Sequence, residues 1–243
     1  MSSHWLVTTV AGVLCFSVGL TAGIGLAIVK PQKIRQWARS LGFPDSNMQW
    51  FHAQTVKFHL RIDACTPRGA VLFIGDSFIQ GLCVTEVEPG AINFGIGGDT
   101  TDDVLARLPR YTSVAHAGAV VFAVGDNDLR QGFSHERIVV NYRQMLAMIP
   151  AEVPVFFCSL TPTGEGVDGS PINKKIAELN RALTTVCASR PQCHYVDLSS
   201  QLADAQGRLQ PQFDDGDGLH LNAAGNRLCL EKLQESLAVR QGR

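Results

Sequence analysis

The sequence has no excess of charge of either sign, since 21 lysine and arginine residues nearly cancel 22 aspartate and glutamate residues. It therefore lacks the basic field that binds nucleic acid, and it has no acidic tail. Internal repeats and low-complexity segments are also missing from the 243 residues. With 45% hydrophobic residues the chain can form a sizeable core. The composition indicates a globular domain with no nucleic-acid partner.

The cysteines form no pattern typical of a disulfide framework. Cys15 lies in the apolar N-terminus, and the other six are scattered. Cys187 and Cys193 are close in sequence, but a metal site needs more ligands than this spacing offers. We therefore expect most cysteines to be small buried apolar residues, with neither a disulfide framework nor a metal site.

Nucleotide-binding motifs are absent as well. The run from Gly95 begins like the dinucleotide fingerprint GxGxxG, but Thr100 occupies the position of its last glycine. No Walker lysine pattern occurs in the chain. The sequence therefore predicts no nucleotide cofactor.

Charge is missing from residues 5–29. As a helix, these 25 residues rise roughly 37 Å, enough to cross a hydrocarbon core of about 30 Å with some tilt. A cleaved signal peptide is the alternative, but such peptides usually have a basic segment before a shorter apolar core. No lysine or arginine precedes this run. The sequence favours a retained single-pass anchor over residues 1–30.

Two features of the sequence in and after this predicted anchor concern helix dimerisation and the orientation of the anchor in the membrane. Gly19 and Gly23 form a GxxxG pair, which can bring two membrane helices together, so a helix-mediated dimer is an open alternative. Four basic residues follow the span: Lys30, Lys33, Arg35 and Arg39. By the positive-inside rule they place the C-terminal side in the cytoplasm.

Residues 31–69 form a connecting region. Residues 48–62 mix apolar and polar side chains, which predicts a helix lying against the membrane or the domain, with His52 and His59 on its surface. A cluster of turn residues at 66–69 precedes the first strand. We therefore expect the globular domain to span residues 70–243.

From residue 70 onward, strand-like and helix-like segments alternate. The predicted strands are residues 70–74, 91–94, 117–124, 153–160 and 194–198, and the predicted helices are 101–111, 134–149, 171–189 and 222–237. Helix 134–149 is amphipathic, with Ser134 as its N-cap and Arg137 and Asn141 among its outward residues. The alternation predicts an α/β fold with a five-stranded parallel sheet covered by helices on both faces.

The stretch AVLFIGDSFIQGL, residues 70–82, organises this domain. A buried strand breaks into Gly75-Asp76-Ser77, which holds the serine at the carboxyl edge of the sheet, where open α/β sheets bind ligands. Gly75 permits backbone angles that allow a sharp turn. On this tripeptide alone, an ordinary strand-to-helix turn with Ser77 as N-cap explains the residues equally well.

Three further polar blocks fall at strand ends or just before a helix, at residues 93–100, 125–128 and 217–220. In a doubly wound sheet they can converge on one edge with Ser77. His220 can take the serine proton as a general base, and Asp217 can orient the imidazole. The backbone N–H groups of Ser77 and Gly98 and the amide of Asn127 can bind the oxyanion that forms on an ester carbonyl.

Together the four blocks resemble those of the SGNH, or GDSL, hydrolase superfamily, in particular its single-domain bacterial lysophospholipase, thioesterase and arylesterase members. The resemblance runs from residue 70 to the C-terminus. It implies a flavodoxin-like three-layer α/β/α sandwich and no metal. It also implies Ser77 as nucleophile with Asp217 and His220 as its partners, and Gly98 and Asn127 as the donors that complete the oxyanion hole.

Two positions blur this pattern. The GIGGDT run leaves the register open by one residue, so Gly97 is an alternative to Gly98 as a donor. The third block reads GDND, where many relatives carry a second glycine, so Asp126 adds a negative charge close to the expected oxyanion hole.

The resemblance implies a serine esterase or lipase-type hydrolase that cleaves carboxylic esters through an acyl-enzyme, and the predicted anchor makes it a membrane-anchored one. An anchor beside a bilayer favours lipids, lysophospholipids or acylated glycans as substrates, with the loop 161–170 shaping the acyl site. An O-deacetylase, an acyltransferase and a catalytically silent binding or scaffold domain are the alternatives. Because envelope ester chemistry favours the outer side, the membrane side of the domain stays open.

Overall fold

The computed structural model describes residues 46–164 and 172–238. The compact unit that carries the sheet begins at Gln54, and the described residues before it, 46–53, belong to a separate unit. The predicted anchor, its glycine pair, the basic residues after it and most of the loop 161–170 lie outside the described residues. Within the described ranges, no helix combines the length and hydropathy needed to cross a bilayer. The boundaries at residues 30 and 70 stay predictions.

Five parallel strands form the centre of the fold. They are β1 Val71–Gly75, β2 Ile92–Gly95, β3 Ala119–Ala123, β4 Val155–Cys158 and β5 Cys193–Val196, in the order β2-β1-β3-β4-β5. β1, β3 and β4 are buried at every position, because helices cover both faces of the sheet. The predicted five-stranded parallel sheet is confirmed.

The helices lie in two layers. They are α1 Ser46–Asp63, α2 Ser77–Gln80, α3 Val84–Val87, α4 Thr101–Arg107, α5 Asp126–Arg130, α6 His135–Met148, α7 Ile172–Cys187, α8 Ser199–Leu202 and α9 Ala223–Ala238. Leu72 and Ile74 of β1 point into one apolar cluster, with side chains of α4, α6 and α7. Val71 and Phe73 alternate into the opposite cluster, with side chains of α2, α3, α8 and α9. The result is the three-layer α/β/α sandwich that the sequence predicts.

Local signals account for the helix ends. A capping box opens α4, because the Thr100 hydroxyl accepts the N–H of Asp103 and the Asp103 carboxylate accepts the N–H of Thr100. Ser134 caps α6, as predicted. The predicted helix 101–111 ends at Arg107 and continues as a 3-10 turn, since Pro109 has no N–H for the next α-helical bond.

Two polar residues assigned to helix surfaces are buried instead. Asn141 is 6% exposed, and its amide donates to Thr101 Oγ1 at 2.7 Å. His59 is 7% exposed, lies 3.2 Å through Nδ1 from the Tyr111 hydroxyl, and packs its ring 5.2 Å from that of Phe94. Both predictions were wrong because periodicity marks the polar face of a helix but not the polar partner that can bury a residue of that face.

The cysteines also depart from the prediction. Cys187, at the end of α7, and Cys193, at the start of β5, form a disulfide with their Cα atoms 5.1 Å apart. Their sequence separation alone could not reveal that the turn between α7 and β5 brings them together. Cys158 is buried as expected, whereas Cys65 and Cys83 are exposed.

The disulfide yields a test of stability. Replacing both partners, Cys187→Ser with Cys193→Ser, should lower the free energy of unfolding by about 2 kcal/mol, because the bridge closes a loop of about seven residues in the unfolded chain. Denaturant unfolding with and without reductant measures the difference, with Cys83→Ser as the control that should match the wild type. Alkylation of the denatured, unreduced protein at all seven cysteines would contradict the bridge.

Candidate active site

The candidate site lies at the carboxyl ends of β1 and β3. These strands are neighbours, but the chain leaves β1 toward the face of α2 and α3 and leaves β3 toward the face of α6. Such a topological switch point opens a crevice at the edge of the sheet. A cavity of about 110 Å³ lies there, and Ser77, Asn127 and His220 are among its lining residues.

Tight contact between β1 and β3 positions Ser77. A Cβ on Gly75 would lie 2.0 Å from the Ala123 carbonyl oxygen, and Gly75 has no positive φ. Glycine is therefore needed there for space, not for the unusual backbone angles that the sequence suggested. Asp76, not Ser77, is the N-cap of α2, because its Oδ1 accepts the N–H of Phe78 at 3.0 Å.

The structure brings the predicted Ser77, His220 and Asp217 side chains into line. His220 Nε2 lies 3.1 Å from Ser77 Oγ, and His220 Nδ1 lies 2.6 Å from Asp217 Oδ2. The other carboxylate oxygen of Asp217 accepts the backbone N–H groups of Leu219 and His220 at 2.9 and 2.8 Å. Burial raises the pKa of Asp217, but the hydrogen bonds from the His220 side chain and from these backbone groups outweigh it and lower the pKa to about 2.

The loop that carries Asp217 and His220 is held together by its own hydrogen bonds. Asp214 Oδ1 accepts the N–H groups of Gly216 and Gly218 at 2.8 and 2.9 Å. The Gly218 carbonyl accepts the N–H of Gly164 at 2.7 Å, which joins this loop to the segment after β4. Asp214 is thus a structural carboxylate of the loop, and the spacing to His220 correctly singles out Asp217 as its neighbour.

The candidate oxyanion donors flank the serine on the β2 and β3 sides. Gly97 lies beside it, since a Cβ there would be 3.7 Å from Ser77 Cβ, but its N–H already donates to Gln80 Oε1 at 2.8 Å. This occupancy favours Gly98, which is exposed and has a φ of 87°. Asn127 Nδ2 donates to the Asp99 carbonyl at 2.9 Å and keeps a second hydrogen for another acceptor.

Buried polar residues around these donors escaped the sequence reasoning. Asp99 and Arg107 are each 1% exposed and form an ion pair of 2.7 Å. Asp128 is fully buried and accepts both the N–H and the hydroxyl of Thr101. Asp99 and Asp128 lie inside the polar blocks 93–100 and 125–128, so the sequence already placed them near the site. Arg107 lies outside these blocks, and no sequence motif marks it as part of the site.

Carboxylates concentrate at this edge of the sheet. Burial raises the pKa of Asp76 to about 7, the Phe78 N–H opposes that shift, and the charges of Asp126, Asp99 and Asp128 add to it. Because this pKa is above that of an exposed aspartate, about 3.9, the protonated, neutral form of Asp76 stabilises the folded state at low pH. This stabilisation by protonated Asp76 is lost as the pH rises toward 7.

In the described ranges, no group of three histidine, cysteine or acidic side chains is arranged to hold a metal ion.

A doubly wound parallel sheet with a serine, an imidazole and a carboxylate in line at its switch point is typical of a serine hydrolase that acts on acyl groups. Comparison with known proteins gives the particular family. Residues 73–228 match the GDSL-like Lipase/Acylhydrolase family. Because this match spans more than half of the chain, the protein belongs to that family and is a carboxylic ester hydrolase.

Individual relatives agree with this assignment. Over 164 residues the chain is 27% identical to platelet-activating factor acetylhydrolase IB subunit alpha1 of Bos taurus. The aligned region covers 64% of this chain and 69% of that protein. Over 175 residues the chain is 29% identical to the alpha2 subunit of Gallus gallus, covering 68% of this chain and 74% of that protein.

Solved structures share the fold. A GDSL-like lipase from Bacteroides thetaiotaomicron superposes with a TM-score of 0.67 at 20% identity, over 77% of this chain and 98% of that chain. A catalytic mutant of an acetylxylan esterase from Geobacillus stearothermophilus gives a TM-score of 0.58 at 17% identity, over 70% and 95%. At these identities the similarity extends to the architecture alone.

The position of Asp217 predicts two separable effects of Asp217→Asn. The kcat for p-nitrophenyl acetate should fall roughly 100- to 10,000-fold, because an amide neither stabilises the imidazolium nor fixes its tautomer. A pKa lowered to about 2 means that the carboxylate stabilises the fold above about pH 4 and that this stabilisation is lost as the pH falls toward 2. The difference in melting temperature between variant and wild type should therefore shrink on acidification.

Asp215→Asn is the matched control for that experiment, because Asp215 is an exposed carboxylate of the same loop. It should change neither kcat nor the pH dependence of unfolding. Wild-type kcat in Asp217→Asn, or a difference in melting temperature that does not vary with pH, would contradict the assigned position.

Proposed function

We propose that the chain cleaves carboxylic esters through an acyl-enzyme on Ser77. The hydroxyl oxygen attacks the acyl carbonyl while His220 Nε2 accepts its proton, and the proton then passes to the alcohol oxygen as the ester bond breaks. Water repeats these steps on the acyl-enzyme and releases the carboxylic acid and the free serine. The observation that carries the proposal is the 3.1 Å separation of Ser77 Oγ and His220 Nε2, in residues 143 positions apart.

The negative charge of the tetrahedral intermediate needs donors that are already oriented. We assign this role to the backbone N–H groups of Ser77 and Gly98 and to the remaining amide hydrogen of Asn127. Asp126, which lines the same cavity, pairs with Arg130 at 2.5 Å. Its charge is therefore balanced on α5 and opposes the oxyanion less than an isolated carboxylate would.

A short acyl group fits this site better than a long one. The cavity of about 110 Å³ is well below the roughly 300–1,000 Å³ of sites for drug-sized ligands. Phe78, Leu160 and Leu219 contribute apolar lining. The names of similar proteins, acetylhydrolase and acetylxylan esterase, refer to acetyl groups as well. We therefore propose acetyl or similarly short esters as substrates, with an alcohol that is either a lysophospholipid-like lipid or a glycan.

The membrane anchor, its orientation and a helix-mediated dimer remain proposals from the sequence. An anchored domain would meet lipid esters or acylated glycans at the membrane surface. O-deacetylation of a glycan uses the same steps as lipid ester hydrolysis, and acyl transfer differs only in replacing water by a second alcohol. A catalytically silent binding domain is disfavoured by the spatial convergence of all three catalytic residue types.

The acyl-enzyme proposal predicts the behaviour of Ser77→Ala. This variant should lose hydrolysis of p-nitrophenyl acetate and labelling by a fluorophosphonate probe, because both require the serine oxygen. Its melting temperature should match that of the wild type, since the Ser77 side chain is only half-buried and caps no helix. Residual turnover equal to that of the wild type would refute the proposal.

The cavity size predicts the preference for acyl chain length. The value of kcat/KM for p-nitrophenyl acetate should exceed that for the octanoate ester by at least about tenfold, because the described residues around the cavity enclose too little apolar space for the longer chain. Both rates are measured side by side, with Ser77→Ala supplying the uncatalysed background. An equal or higher value for octanoate would contradict the short-acyl assignment.

A further inference from the structure

The Arg107 guanidinium lies behind the candidate oxyanion hole. Arg107 is 1% exposed, and its three nitrogens contact three different parts of the fold. Nε donates to Asp99 Oδ2 at 2.7 Å, Nη2 donates to the Gly75 carbonyl at 3.0 Å, and Nη1 donates to the Tyr111 hydroxyl at 2.9 Å. One side chain thus joins the end of β1, the loop after β2 and the turn after α4.

Two of these contacts lead directly to the proposed oxyanion donors. Gly75 lies two residues before Ser77, so its carbonyl belongs to the turn that sets the serine N–H. Asp99 follows Gly98, and the Asp99 carbonyl accepts the Asn127 amide at 2.9 Å. Each of the three assigned donors is therefore within two residues, or one hydrogen bond, of a group that Arg107 holds.

We propose that Arg107 is a positioning residue for the oxyanion hole, acting through Asp99 and Gly75. This inference rests on the proposed function, because it assigns a role relative to those donors. Arg107 touches no substrate atom in this role. It fixes the distance and angle between the loop that carries Gly98 and Asp99 and the strand that leads to Ser77, so that all three donors point to one place.

The chemistry of the contacts favours positioning over simple packing. A buried ion pair adds little stability compared with apolar side chains of the same volume, so stability alone gives little reason for one here. A guanidinium offers donors in fixed directions within one plane, which a lysine ammonium cannot reproduce. The three acceptors of Arg107 lie on separate segments, and only such a planar group can hold all of them in one geometry.

Aromatic contacts fix the position of Tyr111, whose hydroxyl accepts a hydrogen bond from Arg107. Tyr111 stacks on Phe94 of β2 with ring centroids 4.6 Å apart, and His59 Nδ1 lies 3.2 Å from the Tyr111 hydroxyl. The hydroxyl that receives Arg107 Nη1 is therefore fixed by β2 and α1. Tyr111→Phe removes this one acceptor while keeping the ring, which makes it a mild variant for the test.

A double-mutant cycle with Asn127→Ala tests the proposal. Arg107→Met should lower kcat for p-nitrophenyl acetate about 10- to 100-fold, because a displaced donor loses most of its effect on the transition state, and KM should change by less than about threefold. In the Asn127→Ala background the same substitution should cost less than it does in the wild type, since one of the three donors that it displaces is already absent. Arg107→Lys should resemble Arg107→Met rather than the wild type.

Two further variants keep the test decisive if Arg107→Met does not fold. Asp99→Asn retains the backbone carbonyl that binds Asn127 but removes the carboxylate charge, and Tyr111→Phe removes one hydroxyl. Both should lower kcat, Asp99→Asn by at least about fivefold and Tyr111→Phe by less, and both losses should shrink in the Asn127→Ala background. Folded Asp99→Asn with kcat within about twofold of the wild type would overturn the proposal.

Arg190→Met is the matched structural control. Arg190 is partly buried, and its guanidinium donates to the carbonyls of Leu146 and Ile149 at the end of α6 and of Pro150 and Val153 in the turn before β4, at the amino ends of the strands. Its replacement should lower the melting temperature, leave kcat unchanged and show no coupling to Asn127. Equal coupling of Arg107 and Arg190 to Asn127 would reduce the role of Arg107 to stability.

The outcomes also separate this inference from the function on which it rests. Hydrolysis that persists in Ser77→Ala contradicts the acyl-enzyme proposal itself. Hydrolysis that requires Ser77 and Asn127, with effects of Arg107→Met and Asn127→Ala that multiply independently, contradicts only the positioning role.

Discussion

At their carboxyl ends, β1 and β3 approach so closely that a Cβ on Gly75 would overlap the Ala123 carbonyl. This contact fixes the spacing between the turn with Ser77 and the turn with Asn127, because each follows directly from its strand. The short helices α2 and α5 then leave toward opposite faces and open the cavity between them. The loop of Asp217 and His220 reaches this edge from a distant part of the chain, and its own hydrogen bonds hold it together.

The polar groups around this edge form a layered system. The outer layer, Ser77 with His220 and Asp217, is open to solvent, with the His220 and Asp217 side chains 44% and 52% exposed. Beneath it lie Asp99, Arg107 and Asp128, which are almost fully buried. Burying such groups is costly unless each has a partner, and Arg107 and Thr101 supply partners to the two carboxylates. The buried carboxylates are thus paired within the fold, while the outer layer is open to an incoming ester.

The sequence predicted the sheet, the layers and the meeting of the serine, histidine and aspartate blocks, because parallel strands bring their carboxyl ends to one edge whatever lies between them. It could not predict what holds those blocks in place. Arg107 is the last residue of the short helix α4, and its partners Asp99 and Gly75 are 8 and 32 positions away. The burial of Asn141 and His59 and the bridge between Cys187 and Cys193 likewise depend on which segments meet in three dimensions, and residue periodicity carries no information on that.

The 143 positions between Ser77 and His220 have a consequence for synthesis. Domains fold as units while the ribosome makes the chain from its N-terminus. The serine emerges and its strand can pair long before the imidazole has been translated. Under the proposed mechanism, a nascent chain carries a hydroxyl without its base, and ester hydrolysis requires the segment before α9 to dock against the sheet. Turnover by this mechanism would therefore report that the C-terminal part of the domain has folded onto the sheet.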